Sequence, residues 1–337
     1  MQRVKMADVA RLAGVSAMTV SRALRADGTV APGTRRAILK VVRDLGYLPD
    51  RQAQALSSQR SGFVAALVPS LNNPHFALSI GALTEVLEAT GLQVLIGHTN
   101  YSAGREQRLV TELLRRRPEA IVVTVDGHLA ATRKRLRQSG IPVIEIWDWP
   151  SRPIDHVVGF SNRDAACQMA LHLHARGYRR IAYVGETDDA GTRGSRRRDG
   201  FLDAMRELAL GEARVHNHSH PPINMMQGRQ ALAAVLARWP DTDAIMCVSD
   251  PCAYGAMVEA QARGLRVPED IGIAGFGDFE ISRCCSPALT TVEVNAGEIG
   301  RQAGELVLRL LGGEERNRGA PARIHVAARI GQRASTR

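Results

Sequence analysis

Short apolar segments that recur from Phe63 onwards constrain the fold of this chain more than any other feature. Each is four to six residues long, and segments of helical length separate them. Continuous apolar strands that alternate with helices are typical of parallel sheets covered by helices on both faces. The pattern predicts an α/β core of two doubly wound parallel-sheet lobes, which bind ligands at the carboxyl ends of their strands. The predicted strands are 63–68, 93–96, 120–125, 142–146, 157–160, 180–184, 244–248 and 271–276, and the predicted helices are 75–90, 103–116, 128–139, 163–176, 194–208, 227–238 and 251–263.

The first sixty residues differ in character and predict a small all-α domain. Four apolar residues share one face of a short helix that Gly14 ends, and Ser16 can cap a second helix. Val20 and Ala23 then face back toward the first helix, and a third helix is predicted at 32–45. This pattern indicates a helix-turn-helix, whose second helix lies in the DNA major groove, with an ordinary helix hairpin as the alternative. The apolar face of the first helix consists of Val9, Ala10, Leu12 and Ala13.

Positive charge is concentrated in this same N-terminal segment. Residues 1–60 contain eleven Lys and Arg against four Asp, a net charge of +7 out of +10 for the whole chain of 337 residues. Binding to a phosphate backbone with release of counterions requires positive charge in such an arrangement. A solvated basic face is the alternative, but it does not explain why the charge coincides with the helix-turn-helix.

Several other classes of protein are disfavoured. No stretch approaches about 18 uncharged apolar residues and no signal-peptide core is present, so we expect a cytoplasmic protein with no membrane partner. The five cysteines form no CxxC pair and no zinc-like spacing with His, which indicates reduced thiols and no metal; a redox role of Cys284 and Cys285 stays open. Nucleophile elbows, phosphate loops and HExxH motifs are absent, so we predict no enzyme, no catalytic residue and no cofactor.

Ordered motifs run along essentially the whole chain. In the N-terminal segment they are Asp8-Val-Ala10, Ala13-Gly-Val-Ser16, Thr19-Val-Ser-Arg22, Thr34-Arg35, Leu45-Gly-Tyr47 and Pro49-Asp-Arg51. In the core they are Arg176-Gly-Tyr-Arg-Arg-Ile-Ala-Tyr-Val-Gly185, Arg197-Arg-Asp-Gly-Phe201, Ser249-Asp-Pro-Cys-Ala-Tyr-Gly255, Pro268-Glu-Asp-Ile271 and Pro287-Ala-Leu-Thr-Thr291. Together they resemble the lactose-repressor (LacI/GalR) family of bacterial transcription regulators. The chain most resembles the gluconate-repressor branch, through Val68-Pro-Ser-Leu-Asn72, His98, Val157-Val-Gly-Phe-Ser-Asn162 and Ala274-Gly-Phe276.

The resemblance implies a homodimer on a near-palindromic operator and a periplasmic-binding-protein-like core. The tail after the last predicted strand has no heptads, so no coiled coil for tetramerisation is expected. The implied domains are a helix-turn-helix head at 1–48, a hinge helix and linker at 49–61, and a core at 62–337. Lobe 1 of the core is expected at about 62–161 and 293–321, and lobe 2 at about 162–292 and 322–337.

The resemblance also assigns the DNA contacts. Ala17, Met18 and Arg22 are expected at base edges, where a short or apolar side chain can touch a thymine methyl and Arg22 can bond guanine. Leu56 matches the family's minor-groove wedge, which kinks the duplex, or packs one hinge helix on its dimer mate. Residues that either position the DNA backbone or pack within the head are Ser16, Thr19, Ser21 and Tyr47, and Arg51 completes the predicted DNA-binding set.

The cleft between the lobes is the predicted effector site. Arg197 lies three residues before Gly200 and matches the family's ligand-contacting Arg, although its flanking Arg residues also fit surface exposure. Phe76 follows the first strand and can cover an apolar ligand face, and Asp250 comes at a strand end where the family usually has Asn-Asp. Three further candidates follow apolar strands and either contact the ligand or bond their own loop backbone: His98, Thr124 and Asp148.

One departure from the family pattern bears on the effector. Members that bind neutral sugars commonly place an Asp directly after the Gly-Phe of the last core strand, where this chain has Gly277, with Asp278 one residue later. A cleft that keeps Arg197 without that carboxylate favours an anion, because Arg binds carboxylates bidentately. The expected function is a sequence-specific transcriptional regulator, favoured as a repressor of sugar or sugar-acid catabolism genes, with gluconate or a keto-gluconate as effector. The alternatives are a neutral sugar or other metabolite as effector, or an exported sugar-binding protein.

Overall fold

The computed structural model describes residues 4–24, 30–48, 61–187, 191–313 and 320–337. The chain divides into two units, Met1–Ser61 and Gly62–Arg337, and each is described by itself. Within the described residues, no helix combines the length and the apolar character that crossing a membrane would require.

Three helices make up the described part of the N-terminal unit: α1 (Met6–Leu12), α2 (Ala17–Leu24) and α3 (Pro32–Asp44). Gly14 turns the chain between α1 and α2 at φ +65°, a conformation that glycine adopts without strain. The Ser16 hydroxyl accepts the backbone N–H of Thr19 at 3.1 Å and so caps α2. The predicted helix-turn-helix is therefore confirmed. Its small core contains Val9, Ala10, Val20, Ala23, Ile38 and Tyr47.

Strands and helices alternate through most of the second unit, as the apolar segments predicted. Because the central strands are buried on both faces, most of them are continuous apolar runs. In the described residues the order is β1 (Phe63–Val68), α4 (Pro74–Glu88), β2 (Gln93–His98), α5 (Ala103–Arg115), β3 (Ile121–Thr124), α6 (Ala130–Arg137), β4 (Val143–Ile146), β5 (His156–Gly159), α7 (Asn162–Ala175), β6 (Ile181–Glu186), α8 (Arg193–Glu207), β7 (Arg214–Ser219), α9 (Met225–Arg238), β8 (Ala244–Cys247), α10 (Asp250–Ala262), β9 (Gly272–Gly277), α11 (Glu280–Cys284), β10 (Thr290–Glu293), α12 (Ala296–Leu311), β11 (Arg323–His325) and β12 (Arg329–Gly331).

The described strands form two sheets of six, one in each lobe. The first has the order β11-β5-β4-β3-β1-β2, and the second has the order β12-β10-β9-β8-β6-β7. All pairings are parallel except that of β10 with β12, which is antiparallel. In each sheet the chain starts at the strand next to one edge and winds outwards in both directions. The predicted pair of doubly wound lobes is thus confirmed, and the carboxyl ends of the central strands carry the connecting loops.

The predicted pattern missed four strands of the described chain. β7 is polar because it is the edge of its sheet, β10 carries two threonines, and β11 and β12 have only three residues each. Such segments are too short or too polar to give an apolar run. The position of β11 also corrects the predicted boundary between the lobes, because Ile324 pairs with Val158 in the first sheet and so belongs to lobe 1. The chain therefore enters lobe 2 for the last time between β11 and β12, and not near residue 321 as the sequence analysis expected.

Helix α12 returns the chain to lobe 1 and packs against α4 at a glycine. A Cβ added to Gly300 would overlap the backbone carbonyl oxygen of Ser79. The Ser79 hydroxyl, in turn, donates a hydrogen bond to the Ala296 carbonyl at 2.8 Å. Both helices approach backbone to backbone at this point, and only a residue without a side chain permits that distance.

Candidate functional site

The exposed face of α2 carries the residues predicted to contact base edges. Met18 is 65% exposed, and Ala17 and Arg22 are exposed on the same helix. Their side chains are therefore accessible to a DNA groove. Tyr47, in contrast, is buried in the core of the N-terminal unit, so its side chain packs within the head. Of the other predicted residues, Ser16 is exposed, Thr19 and Ser21 are half-buried, and Arg51 and Leu56 lie outside the described residues.

A cavity of about 270 Å³ lies between the lobes of the second unit. Residues from the carboxyl ends of strands in both lobes line it, which is where doubly wound sheets bind ligands. Its volume is at the small end of the range for ligand pockets, which is about 300–1,000 Å³. The cavity therefore suits a small metabolite.

Of the described helices longer than five residues, four begin at the wall of this cavity. Each residue that precedes the first helical turn lines it: Asn73 for α4, Thr192 for α8, Asn224 for α9 and Ser249 for α10. The convergence follows from the topology, since most loops that leave a parallel strand lead into a helix N-terminus. The backbone dipole makes each N-terminus partly positive, so the cavity favours a negative charge.

Arg197 of α8 reaches the cavity from lobe 2. Its Nε donates to the Asn162 side-chain oxygen at 2.9 Å and one terminal nitrogen donates to the Val248 carbonyl at 2.7 Å, both neutral acceptors. The guanidinium carbon lies 3.7 Å from the centre of the Phe276 ring. Burial, together with the positive charge of Arg193, lowers the pKa of Arg197 to about 10, so the side chain stays charged at neutral pH. A half-buried cation held by neutral acceptors is well placed to pair with an anion.

Arg193 lines the same cavity one helical turn before Arg197. Its Nε lies 3.5 Å from a carboxylate oxygen of Asp126, which follows β3 in the opposite lobe. The guanidinium carbon also lies 4.9 Å from the centre of the Phe76 ring. Arg193 thus joins the lobes through an ion pair and a cation–π contact.

Two aromatic residues of lobe 1 offer unused polar atoms in the cavity wall. His75 is 92% buried and Trp147 97% buried, and neither ring nitrogen of His75 nor the indole nitrogen of Trp147 has a hydrogen-bond partner among the described residues. Burial, reinforced by the charge of Arg197, lowers the pKa of His75 to about 4, so its ring is neutral at pH 7. Trp147 has φ +74°, an uncommon backbone conformation for a bulky residue. Unsatisfied buried groups of this kind favour a polar ligand.

Two predicted effector residues lie away from the cavity wall. His98 lies at the end of β2, and its ring nitrogen Nδ1 accepts a hydrogen bond from the Arg105 guanidinium at 3.4 Å. The Thr124 hydroxyl donates to the Leu67 carbonyl at 3.2 Å, between neighbouring strands of the sheet. Both side chains are therefore directed to partners within lobe 1, although neither partner is the backbone of their own loop.

The two predicted acids lie outside the cavity wall and hold residues at or next to that wall. Asp148 accepts the side-chain amide of Asn162 at 3.1 Å, and Asn162 holds Arg197. Asp250 accepts the backbone N–H of Phe279 at 2.7 Å and the Thr291 hydroxyl at 2.5 Å. Burial raises the pKa of Asp250 to about 6. Each carboxylate thus positions a wall residue, and neither is itself in the wall.

Sequence reasoning missed several wall residues that the fold brings together. One signal was present for Arg193, because it lies four residues before Arg197 and therefore on the same face of α8. Trp147 directly precedes the predicted Asp148, and His75 directly precedes Phe76. Nothing in the sequence indicated that Trp147 would face the cavity in place of Asp148, or that His75 would face it together with Phe76, since this depends on the backbone conformation after the strand.

Asp278 faces away from the cavity. Its carboxylate pairs with Arg333 at 2.7 Å and with Arg283, and it accepts the Ser282 hydroxyl at 3.1 Å. Gly277, not Asp278, lines the cavity at the end of β9. The wall at this position therefore carries no carboxylate.

The helix-turn-helix unit and the two-lobed binding core together define a class, the DNA-binding regulators with a periplasmic-binding-protein-like core. Residues 5–50 match the family described as bacterial regulatory proteins, lacI family, and residues 170–336 match the periplasmic binding protein-like domain. The chain belongs to the LacI family of DNA-binding transcriptional regulators, with the similarity extending over most of its length.

Its relatives are similar in length and are transcriptional regulators. The chain is 36% identical to the HTH-type transcriptional regulator GntR of Pseudomonas aeruginosa, over 91% of this chain and 89% of that protein. It is 34% identical to the HTH-type transcriptional regulator IdnR of Escherichia coli K12, over 94% of each. A LacI-family transcriptional regulator from Silicibacter pomeroyi matches in structure with a TM-score of 0.90 and 33% identity, over 99% of this chain and 100% of that one. These relatives are regulators, not enzymes, and they confirm the resemblance to the gluconate-repressor branch.

Proposed function

We propose that this regulator is a repressor of sugar or sugar-acid catabolism genes and that its cavity binds a sugar acid, gluconate or a keto-gluconate. The observation that carries the proposal is the convergence of half-buried Arg197 with four helix N-termini on one small cavity. A carboxylate in this place would accept hydrogen bonds from the guanidinium and gain from the helix dipoles. Binding of the sugar acid would then release the operator.

The remaining charges of the wall are compatible with an anion. Asp126 is paired with Arg193, so its negative charge is largely neutralised where the ligand would lie. Asp278 is turned toward Arg333 and adds no repulsion. Glu186 is the other acid of the wall, and together with Asp126 it offers acceptors for the hydroxyl groups of a sugar acid.

The polyhydroxy part of the ligand has suitable partners on the lobe 1 side. The indole N–H of Trp147 can donate a hydrogen bond to the ligand, and the neutral ring of His75 can both donate and accept. Phe76 packs edge-on against Trp147, with ring centres 5.5 Å apart, and gives the same side an apolar surface. Carbon-bound hydrogens of a sugar acid would pack on that surface.

Control of DNA binding would come from the arrangement of the two lobes. Two ion pairs cross the cleft, Arg193 with Asp126 and Arg196 with Asp148, the second at 2.8 Å. A ligand that bridges Arg197 and Trp147 would favour one lobe arrangement over another. By linkage, a ligand that prefers one arrangement changes operator affinity, and the operator changes ligand affinity by the same factor.

Calorimetry of the full chain with gluconate, 2-ketogluconate and glucose tests the effector assignment. We expect a sugar acid to bind far more tightly than glucose, since glucose has no carboxylate to pair with Arg197. Operator titration with and without the best binder then measures the coupling. Tighter binding of glucose or of a purine than of either acid would overturn the effector assignment and leave the family unchanged.

Arg22 is the residue of α2 that we expect to read a guanine. Arg22→Ala should cost about 1–3 kcal/mol of operator affinity and relax base preference at one position of each half-site. Selection of binding sites from a random pool measures that preference directly. Arg36→Ala, which removes an exposed Arg from α3, serves as the control and should keep the preference. An unchanged preference in Arg22→Ala would remove Arg22 from base recognition.

We further propose that the edge strand β2 forms part of the homodimer interface. Leu95 is 36% exposed and Ile96 45% exposed, although neighbouring side chains of a strand point to opposite faces. The strand is therefore uncovered on both faces at an edge of the first sheet, where apolar residues favour association. A second copy of the chain is the occupant that the family implies.

Ile96→Glu should shift the protein from dimer to monomer, because it places a charge in an interface that excludes water. Light scattering coupled to size-exclusion chromatography gives the mass of each species. Leu129→Glu alters an equally exposed leucine at the start of α6 and should leave the dimer intact. A dimer that persists in Ile96→Glu at micromolar concentration would exclude β2 from the interface.

A further inference from the structure

The edge strand β7 carries histidines at alternate positions. It reads Arg-Val-His-Asn-His-Ser from residue 214, and His220 follows it directly. Because alternate side chains of a strand share a face, His216 and His218 lie on the same side of the sheet. Both are half-buried, and β7 leads into Pro221 and Pro222 of the cavity wall.

The two imidazoles approach each other through ring nitrogens. His216 Nε2 lies 3.2 Å from His218 Nδ1, and the ring centres are 5.5 Å apart with 46° between the planes. Two nitrogen ligands bound side by side at about 2.1 Å from a metal ion lie about 3.0–3.4 Å apart, for bond angles of about 90–109°. The separation in this structure therefore fits a shared metal ion as well as it fits a hydrogen bond.

Gln230 of α9 orients the second ring. The side-chain oxygen of Gln230 lies 3.4 Å from His218 Nε2, and because this oxygen only accepts, the contact favours the proton on Nε2. The lone pair of His218 is then on Nδ1, the nitrogen that faces His216. Metal-binding histidines are usually held by such an outer acceptor, which sets the tautomer and the ring orientation.

The first ring is half-buried beside a second imidazole and near an arginine. Burial, then His218, and then Arg238 lower the pKa of His216. Arg238 is the charged group that faces the pair, and its guanidinium lies over the Trp239 ring, 4.3 Å from the centre. Neutral imidazole is the form that binds metal ions.

We propose that His216 and His218 form a chelating site for a divalent first-row transition-metal ion, with Ni²⁺ and Zn²⁺ as the chemical type. Imidazole nitrogens suit these ions, and water would complete the coordination. The described part of the chain holds no group of three or more His, Cys, Asp or Glu side chains arranged for a metal, so the site has two protein ligands. Gln230 is its positioning residue.

Calorimetric titration of the full chain with Ni²⁺ tests the site. We expect one equivalent to bind, and His216→Gln and His218→Gln each to weaken binding about tenfold or more, since even an outer-shell partner contributes 10–100-fold. Gln230→Leu should weaken binding less than either ligand substitution does. Affinity should also fall as the pH is lowered through the range in which imidazole is protonated.

Two control variants separate this site from other nitrogen and sulfur ligands. His174→Gln removes a histidine of α7, and Cys284→Ser removes an exposed thiol; both should bind Ni²⁺ as the unaltered chain does. Melting temperatures measured without metal show that each variant is folded. Absence of Ni²⁺ binding, or binding that survives in both His216→Gln and His218→Gln, would overturn the proposal.

Discussion

Replacement of Arg197 by alanine is expected to weaken sugar-acid binding about 30-fold or more and to abolish the effector's influence on operator affinity. The reason is that truncating one member of a buried, hydrogen-bonded charge pair costs about 2–5 kcal/mol. Operator binding without effector should persist, because Arg197 belongs to the core unit and the DNA-facing helix belongs to the other. Calorimetry with gluconate and 2-ketogluconate, followed by operator titration, measures both quantities.

Two further variants make this result specific. Arg198→Ala removes the next Arg of α8, which does not line the cavity, and should leave sugar-acid binding unchanged. Arg197→Lys keeps the charge but loses the planar fork, so we expect it to bind more weakly than the unaltered chain and more tightly than Arg197→Ala. Undiminished sugar-acid binding by a folded Arg197→Ala protein would show that the anion site lies elsewhere.

Gly300→Ala is expected to lower the free energy of unfolding of the core by about 3 kcal/mol, the upper part of the usual cost of overpacking. The added Cβ would meet the Ser79 carbonyl, and a backbone atom cannot swing aside as a flexible side chain can. α4 and α12 would have to separate, and α4 carries His75 and Phe76 into the cavity wall. Thermal unfolding followed by circular dichroism should show a fall in Tm of about 5 °C or more.

Gly297→Ala is the matched control on the same helix. A Cβ at Gly297 meets nothing within 4 Å. Alanine is favoured over glycine in a helix by up to about 1 kcal/mol, so this variant should be neutral or slightly more stable. Equal Tm values for Gly300→Ala and the unaltered chain would contradict this prediction. They would show that α4 and α12 can move apart at this contact without a loss of stability.

The sequence predicts the helix-turn-helix and the alternating strands and helices of the core. Both follow from patterns of residues that lie close together in the chain. Gly14 and Ser16 set the turn and the cap of the helix-turn-helix within a few residues of each other, so a short stretch holds all the relevant information. The apolar strands are equally local, because burial on both faces imposes a continuous apolar run. β7 departs from this rule since it lies at a sheet edge, and the sequence analysis missed it.

The residues of the candidate site were also predictable only in part. Arg197 and Phe76 were predicted by their positions after particular strands and motifs, and both line the cavity. Asp148 and Asp250 were predicted by the same reasoning, yet neither lines the cavity. Each is instead bonded to a residue that lies nearer to the cavity. His75 and Trp147 were missed although they adjoin predicted residues.

The sequence by itself determined the order of most helices and strands, the basic DNA-binding head and the end of the sheets at which a ligand is expected to bind, because each of these depends on residues close together in the chain. Only the tertiary structure decided which polar groups enter the cavity. Asp278 turns to Arg333, and Asp250 turns to Thr291, and each partner is remote in sequence. A carboxylate at a strand end bonds the donors that the folded structure brings near it. A buried, unpaired carboxylate would lower the stability of the fold by more than any local conformational preference could offset.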